Sequence, residues 1–109
     1  MRTLRFIVDN QIIKEDPNCD FSGLVPGTEK YLKAEFSFSP DWNDYVRVAT
    51  FFSALGREYP FQILKDGKTC IIPAEALRRR IFKIQVVGKN KDKKIITNKL
   101  AVRQDGGKT

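Results

Sequence analysis

Acid–base and nucleophilic chemistry needs a titratable side chain poised near neutrality. This sequence has no histidine, the residue that most often fills that role and a frequent metal ligand. Its carboxylates occur as the neighbours Glu15 and Asp16, as Asp41 with Asp44, and singly. Nothing in their spacing sets two of them across a cleft as acid and base. Asp41 and Asp44 read as acceptors for loop amides, because the ligand count and spacing of a calcium loop are missing. Cys19 and Cys70 lack the short spacings of zinc and redox motifs and read as unpaired thiols, Cys70 in a strand-like run with Ile72 and Cys19 in a polar loop. The adjacent glycines, Gly106 and Gly107, lead into no helix that could hold a phosphate. The expectation is a protein that is not an enzyme, with no catalytic residue, no cofactor and no metal.

Charge carries more information. Residues 1–67 hold 8 basic and 10 acidic side chains, whereas residues 68–109 hold 12 basic and 3 acidic. The basic excess gathers in two places, Arg78, Arg79 and Arg80, and a lysine-rich stretch with Lys89, Lys91, Lys93 and Lys94. Clustered like charge attracts polyanions or acidic proteins and speeds encounter. Neither cluster is interleaved with exposed aromatics as a single-strand platform would be, so a protein partner is favoured and nucleic acid is the weaker alternative. Lysines at a hairpin tip also keep a hairpin soluble. Trp42, in a polar loop, completes the candidate partner-binding set, either as a contact hot spot or as a plug at the end of a sandwich.

The elements that must position these residues are strands. Leu4, Phe6 and Val8 alternate with outward positions, a short extended piece follows at 11–13, and residues 15–29 are dense in turn formers. From Lys30 to Pro40, Leu32, Ala34, Phe36 and Phe38 point one way. A loop over 41–44 leads to a β-branched and aromatic run at 45–52. Tyr59, Phe61 and Ile63 run to Asp66-Gly67, a tight-hairpin dipeptide, with Thr69 to Ile72 as the returning strand. Pro60 places this hairpin at a sheet edge.

Pro73 to Leu77 predicts one or two helical turns. Phe82, Ile84 and Val86 before Gly88 pair with Ile96, Asn98, Leu100 and Val102, leaving residues 89–94 as the hairpin tip. The fold class is all-β: a small antiparallel immunoglobulin-like β-sandwich of about seven strands with one short helical turn, a barrel being the other closure. Residues 1–103 form one domain, and 104–109 a frayed tail. No apolar run is long enough to span a bilayer or to serve as a signal peptide before Asp9, which places the protein in the cytoplasm.

In order along the chain, Phe6 to Asn10, Phe36 to Trp42 with Val48 to Phe51, Cys70 to Leu77, and Phe82 to Gly88 leading to Ile96 to Lys99 resemble a small immunoglobulin-like domain of bacteriophage and prophage structural proteins of Gram-positive hosts, in tail, baseplate or fibre components. The resemblance implies a docking or adaptor domain, made in the bacterial host cytoplasm and incorporated into the virion, that binds a neighbouring virion protein and can form oligomers. Such domains are usually joined to a stalk or receptor-binding part; the expectation here is a domain with none after Thr109, a departure from that plan. Size and charge alone support two alternatives, a phage-encoded inhibitor of a host enzyme or defence system, and a basic nucleic-acid-binding module.

Overall fold

The computed structural model describes residues 1–105; residues 106–109, the end of the expected tail, lie outside the described residues. The described residues form nine strands: β1 (Arg2–Asp9), β2 (Ile12–Glu15), β3 (Leu32–Phe38), β4 (Val46–Ser53), β5 (Gln62–Ile63), β6 (Thr69–Ile71), β7 (Ile81–Asn90), β8 (Lys93–Ile96) and β9 (Leu100–Arg103). They make two sheets, one ordered β2-β1-β3-β6 and the other β5-β4-β7-β8, with β9 also paired to β7. One core lies between them. Leu4, Phe6, Val8, Leu32, Ala34 and Phe36 from the first sheet meet Ala49, Phe51, Phe82, Ile84, Val86 and Val102 from the second. The period-two pattern of β1 and β3 places these residues inward, and Phe6 stacks on Phe36 at 5.4 Å.

Four features differ from the expected sandwich. First, β1 and β3 pair in parallel, Phe6 against Phe36, with β2 and the loop after it serving as the crossover that parallel neighbours require. Second, the arms of the Asp66-Gly67 turn separate. Both turn residues have positive φ, 55° and 71°, and Lys65 bridges Thr69, but β5 then pairs β4 while β6 pairs β3. The turn therefore links the two sheets at one edge, and β5 is only two residues long because Pro60 lacks a ladder donor. Third, residues 40–42 form a 3-10 turn where a loop is expected, and the turn at 74–78 is also 3-10.

Fourth, the expected return strand is broken. The pairing of Val87 with Ile96 and of Ile84 with Leu100 leaves one extra residue on the return side, a β-bulge at Asn98 and Lys99. The extra residue swaps faces, so Ile95 and Thr97 turn inward in place of Ile96 and Asn98. Thr97 anchors the bulge, its hydroxyl accepting from the Val86 amide at 3.0 Å. Asn98 is freed to reach the first sheet. Its side-chain oxygen accepts from Ile13 N at 2.8 Å, and its own amide donates to Gln11 O at 3.2 Å. The bulge thus fastens β2 to the β8–β9 edge.

The expected tail is ordered at its start. Gln104 is 1% exposed, its side-chain amide donates to Leu77 O at 3.1 Å and Arg79 O at 2.7 Å, and Asp105 accepts from the Gly23 amide at 2.8 Å.

Cys19 and Cys70 are both free thiols. Burial pushes the Cys70 thiol up from 9.0 to about 12. Its folded pKa lies above the unfolded one, so the stability it contributes is whole below pH 9 and is lost as pH rises toward 12, at about 1.4 kcal/mol per pH unit. Urea unfolding at about pH 8 and pH 11 is expected to cost the wild type this increment relative to Cys70→Ala. Equal losses in the two proteins would show that the folded thiol ionises freely.

Candidate partner-binding surface

The sequence-predicted residues fall in three places. Trp42 is fully buried and leaves the partner-binding set. Its indole N–H donates to Asn10 O at 2.8 Å, and its ring packs on Phe38 at 5.1 Å. It is the plug of one end. The turn after β1 is docked on the same segment, since the Asn10 amide N–H donates to Ser39 Oγ at 2.9 Å. With its side-chain amide oriented to satisfy both groups, Asn10 also donates to Asp41 Oδ2 at 2.7 Å.

The two basic clusters lie at opposite ends of β7, which begins at Ile81 and ends at Asn90. Ten extended residues separate them by about 30 Å. They cannot act as one patch. The tip is also tighter than the sequence suggests: Lys89 pairs with Lys94 and Asn90 with Lys93, and Lys91, at φ 57°, turns the chain. Lys89 and Lys94 stand directly opposite on one face, an arrangement of like charges that costs stability.

That face is the outward side of the second sheet. Val86 and Ala49 are buried, so their neighbours Val87 and Val48 point away from the core. The pairings Val48 with Ile63, Val48 with Val87, and Val87 with Ile96 set four β-branched residues in one row across β5, β4, β7 and β8. Ile63 is 67% exposed and Ile96 40%. The same alternation turns Lys89 and Lys94 outward beside this row, with Lys83 and Arg103 on the same face further along β7. No strand of this sheet contains an aspartate or glutamate. Among the described residues the single ion pair is Arg5 with Glu35, on the other sheet, so the lysines of this face are not ion-paired, with Glu58, bridged to Phe52, and Asp92, in the hairpin tip, at its margins. Lys99, in the bulge, lies over the Phe52 ring at 4.1 Å and shields the one aromatic of β4 that faces out.

The surface can therefore bury apolar area and accept negative charge together. Its row is aliphatic, and stacking of bases needs aromatic platforms. The sequence alone does not reveal this row, because Val48, Ile63, Val87 and Ile96 come from four strands and only the register aligns them. Among the described residues no group of three or more acidic, cysteine or histidine side chains could hold a metal, and no helix is long and apolar enough to cross a membrane. Comparison with family models, curated proteins and solved structures finds no match.

Proposed function

We propose that this protein is a non-enzymatic binding domain that docks an acidic protein surface on the outward face of its second sheet, as a structural or adaptor component of a bacteriophage particle. The observation that carries the reading is the row Ile63, Val48, Val87 and Ile96, set among outward lysines on strands without a carboxylate. Apolar area at the centre supplies affinity. Unneutralised charge around it selects an acidic partner and raises the association rate. The resemblance of the ordered strand motifs to phage structural domains is what makes the partner a neighbouring virion protein. An immunoglobulin-like reading of the fold belongs to the same proposal; two facing sheets around one core support it, and the parallel β1–β3 pairing is a departure within it.

Mass spectrometry of purified phage particles is expected to find this chain in stoichiometric amount. Ile63→Asp with Ile96→Asp, both solvent-exposed and therefore tolerated by the fold, is expected to cut incorporation at least about tenfold, since each removes apolar area from the row and sets a carboxylate against an acidic partner. Absence of the wild-type chain from particles, with the protein abundant in infected cells, would reject the virion role and favour the inhibitor. Unchanged incorporation of the double variant would reject this face.

A further inference from the structure

At the end of the molecule away from the lysine tip, a cleft of about 460 Å³ opens between the β4–β5 connection and the segment leading into β7. Ala54, Tyr59 and Ile81 contribute its apolar surface, and Arg57, Arg79 and Arg80 its charge; no carboxylate lines it. Leu55, also on its lining, is 99% exposed, the most exposed large apolar side chain among the described residues. It carries the apolar lining of the cleft, shared with Ala54, Tyr59 and Ile81, out toward solvent.

Both walls are held rigid. The Leu55 turn is closed by the Gly56 amide on Ser53 O at 2.9 Å and the Ser53 amide on Arg57 O at 2.8 Å. The Arg57 amide on Ser53 Oγ adds a third bond at 2.9 Å. Gly56, at φ 99°, takes a conformation that other residues resist. On the opposite wall Gln104 fixes the arginines. Its side chain holds Arg79 O at 2.7 Å, and its amide donates to Arg80 O at 2.6 Å. Prepositioned walls lower the ordering cost of binding.

We propose that this cleft is a second docking site, separate from the sheet face, which takes an acidic peptide segment bearing a large apolar side chain. The apolar side chain lies against Leu55, Tyr59 and Ile81, and the carboxylates meet the guanidinium groups of Arg57, Arg79 and Arg80, whose planar forks suit carboxylate oxygens. Charge complementarity selects this occupant. A second copy of the chain, with its net charge of +7, would approach against overall repulsion. A single-stranded nucleic acid would gain its stacking from exposed ring faces, and the aromatic lining the cleft, Tyr59, is half-buried against the core.

The test is selection from a random heptapeptide display library on the immobilised protein, followed by fluorescence anisotropy with the most enriched peptide. Enriched sequences are expected to combine two or more acidic residues with one large apolar residue. Arg79→Ser with Arg80→Ser is expected to weaken binding at least about tenfold, and Leu55→Ser about threefold. Ile63→Asp with Ile96→Asp, on the sheet face, leaves it unchanged, which separates failure of this site from failure of the face. No enrichment, enrichment of peptides without acidic residues, or affinity indifferent to the arginine variant in a protein that melts like wild type would overturn the proposal. So would low-salt binding of a mixed-sequence single-stranded oligonucleotide that the arginine variant abolishes, which would make the cleft a phosphate groove.

Discussion

Trp42→Ala is expected to lower the stability of the domain by about 4 kcal/mol and its melting temperature by about 15 °C, without touching either proposed docking surface. The indole is fully buried and ends the core between the sheets. Removing it leaves a cavity and also strips the Asn10 carbonyl of the donor it meets at 2.8 Å. A second connection passes through the same residue. Arg47 donates to Trp42 O at 2.8 Å and to Gly67 O at 2.8 Å, with its guanidinium 4.2 Å from the Phe38 ring centroid. The main-chain carbonyl of Trp42 thus holds the half-buried arginine that ties the Asp66-Gly67 turn to the 3-10 turn at 40–42, a bond that the alanine variant keeps. Trp42→Phe keeps part of the ring and loses the hydrogen bond, so about 1–2 kcal/mol is expected. Urea unfolding checks both. A loss below about 1 kcal/mol for Trp42→Ala would mean that the indole is not core, and would return it to the set of contact residues.

What could be read in the sequence followed from periodicity and turn chemistry. Leu4, Phe6 and Val8, and Leu32, Ala34 and Phe36, repeat every second residue, and the structure buries all six. Asp66-Gly67 marks a tight turn because both positions must take positive φ, and both do. Pro60 marks an edge, and β5 ends its sheet. What could not be read depends on register. The bulge at Asn98 and Lys99 shifts the alternation by one residue, and a run such as Ile96, Asn98, Leu100 and Val102 carries no sign of it until β7 is laid alongside. Gln104 was hidden for a different reason. A polar residue near a chain end reads as tail, and only the fold brings the carbonyls of Leu77 and Arg79 to its amide.

The candidate site divides along the same line. Lys89, Lys91, Lys93 and Lys94 were visible as a charge cluster, since composition alone reveals them. The apolar row beside them was not, because each strand contributes one residue to it. The arginines at 78–80 were visible too, but their partners in the cleft, Leu55 and Arg57, lie more than twenty positions earlier in the chain and meet them only through the pairing of Ser53 with Phe82.

Gly88→Val is expected to cost about 3 kcal/mol, a large penalty for a residue with no side chain of its own. The sequence suggests that Gly88 ends a strand, whereas β7 continues through it to Asn90, paired to Arg47 on one side and Ile95 on the other. Its position in the alternation points it inward with Phe82, Ile84 and Val86. A Cβ there would lie 2.9 Å from Cζ3 and 3.1 Å from Cε3 of Trp42, and 3.2 Å from Cβ of Tyr45. The indole cannot retreat, because its N–H is held on Asn10. Either the ring tilts and loses that bond, or β7 moves away from β4 and strains the central pairing of the sheet. The better backbone propensity of valine in a strand offsets only about 1 kcal/mol. The origin of the penalty can be isolated by a double-mutant cycle with Trp42→Ala. Once the indole is gone, the valine enters the space it occupied, so Gly88→Val is expected to cost less than about 1 kcal/mol in that background, a coupling of about 2 kcal/mol. If the glycine substitution cost the same in both backgrounds, the requirement for glycine would lie in the backbone of β7 and not in the room it leaves for Trp42.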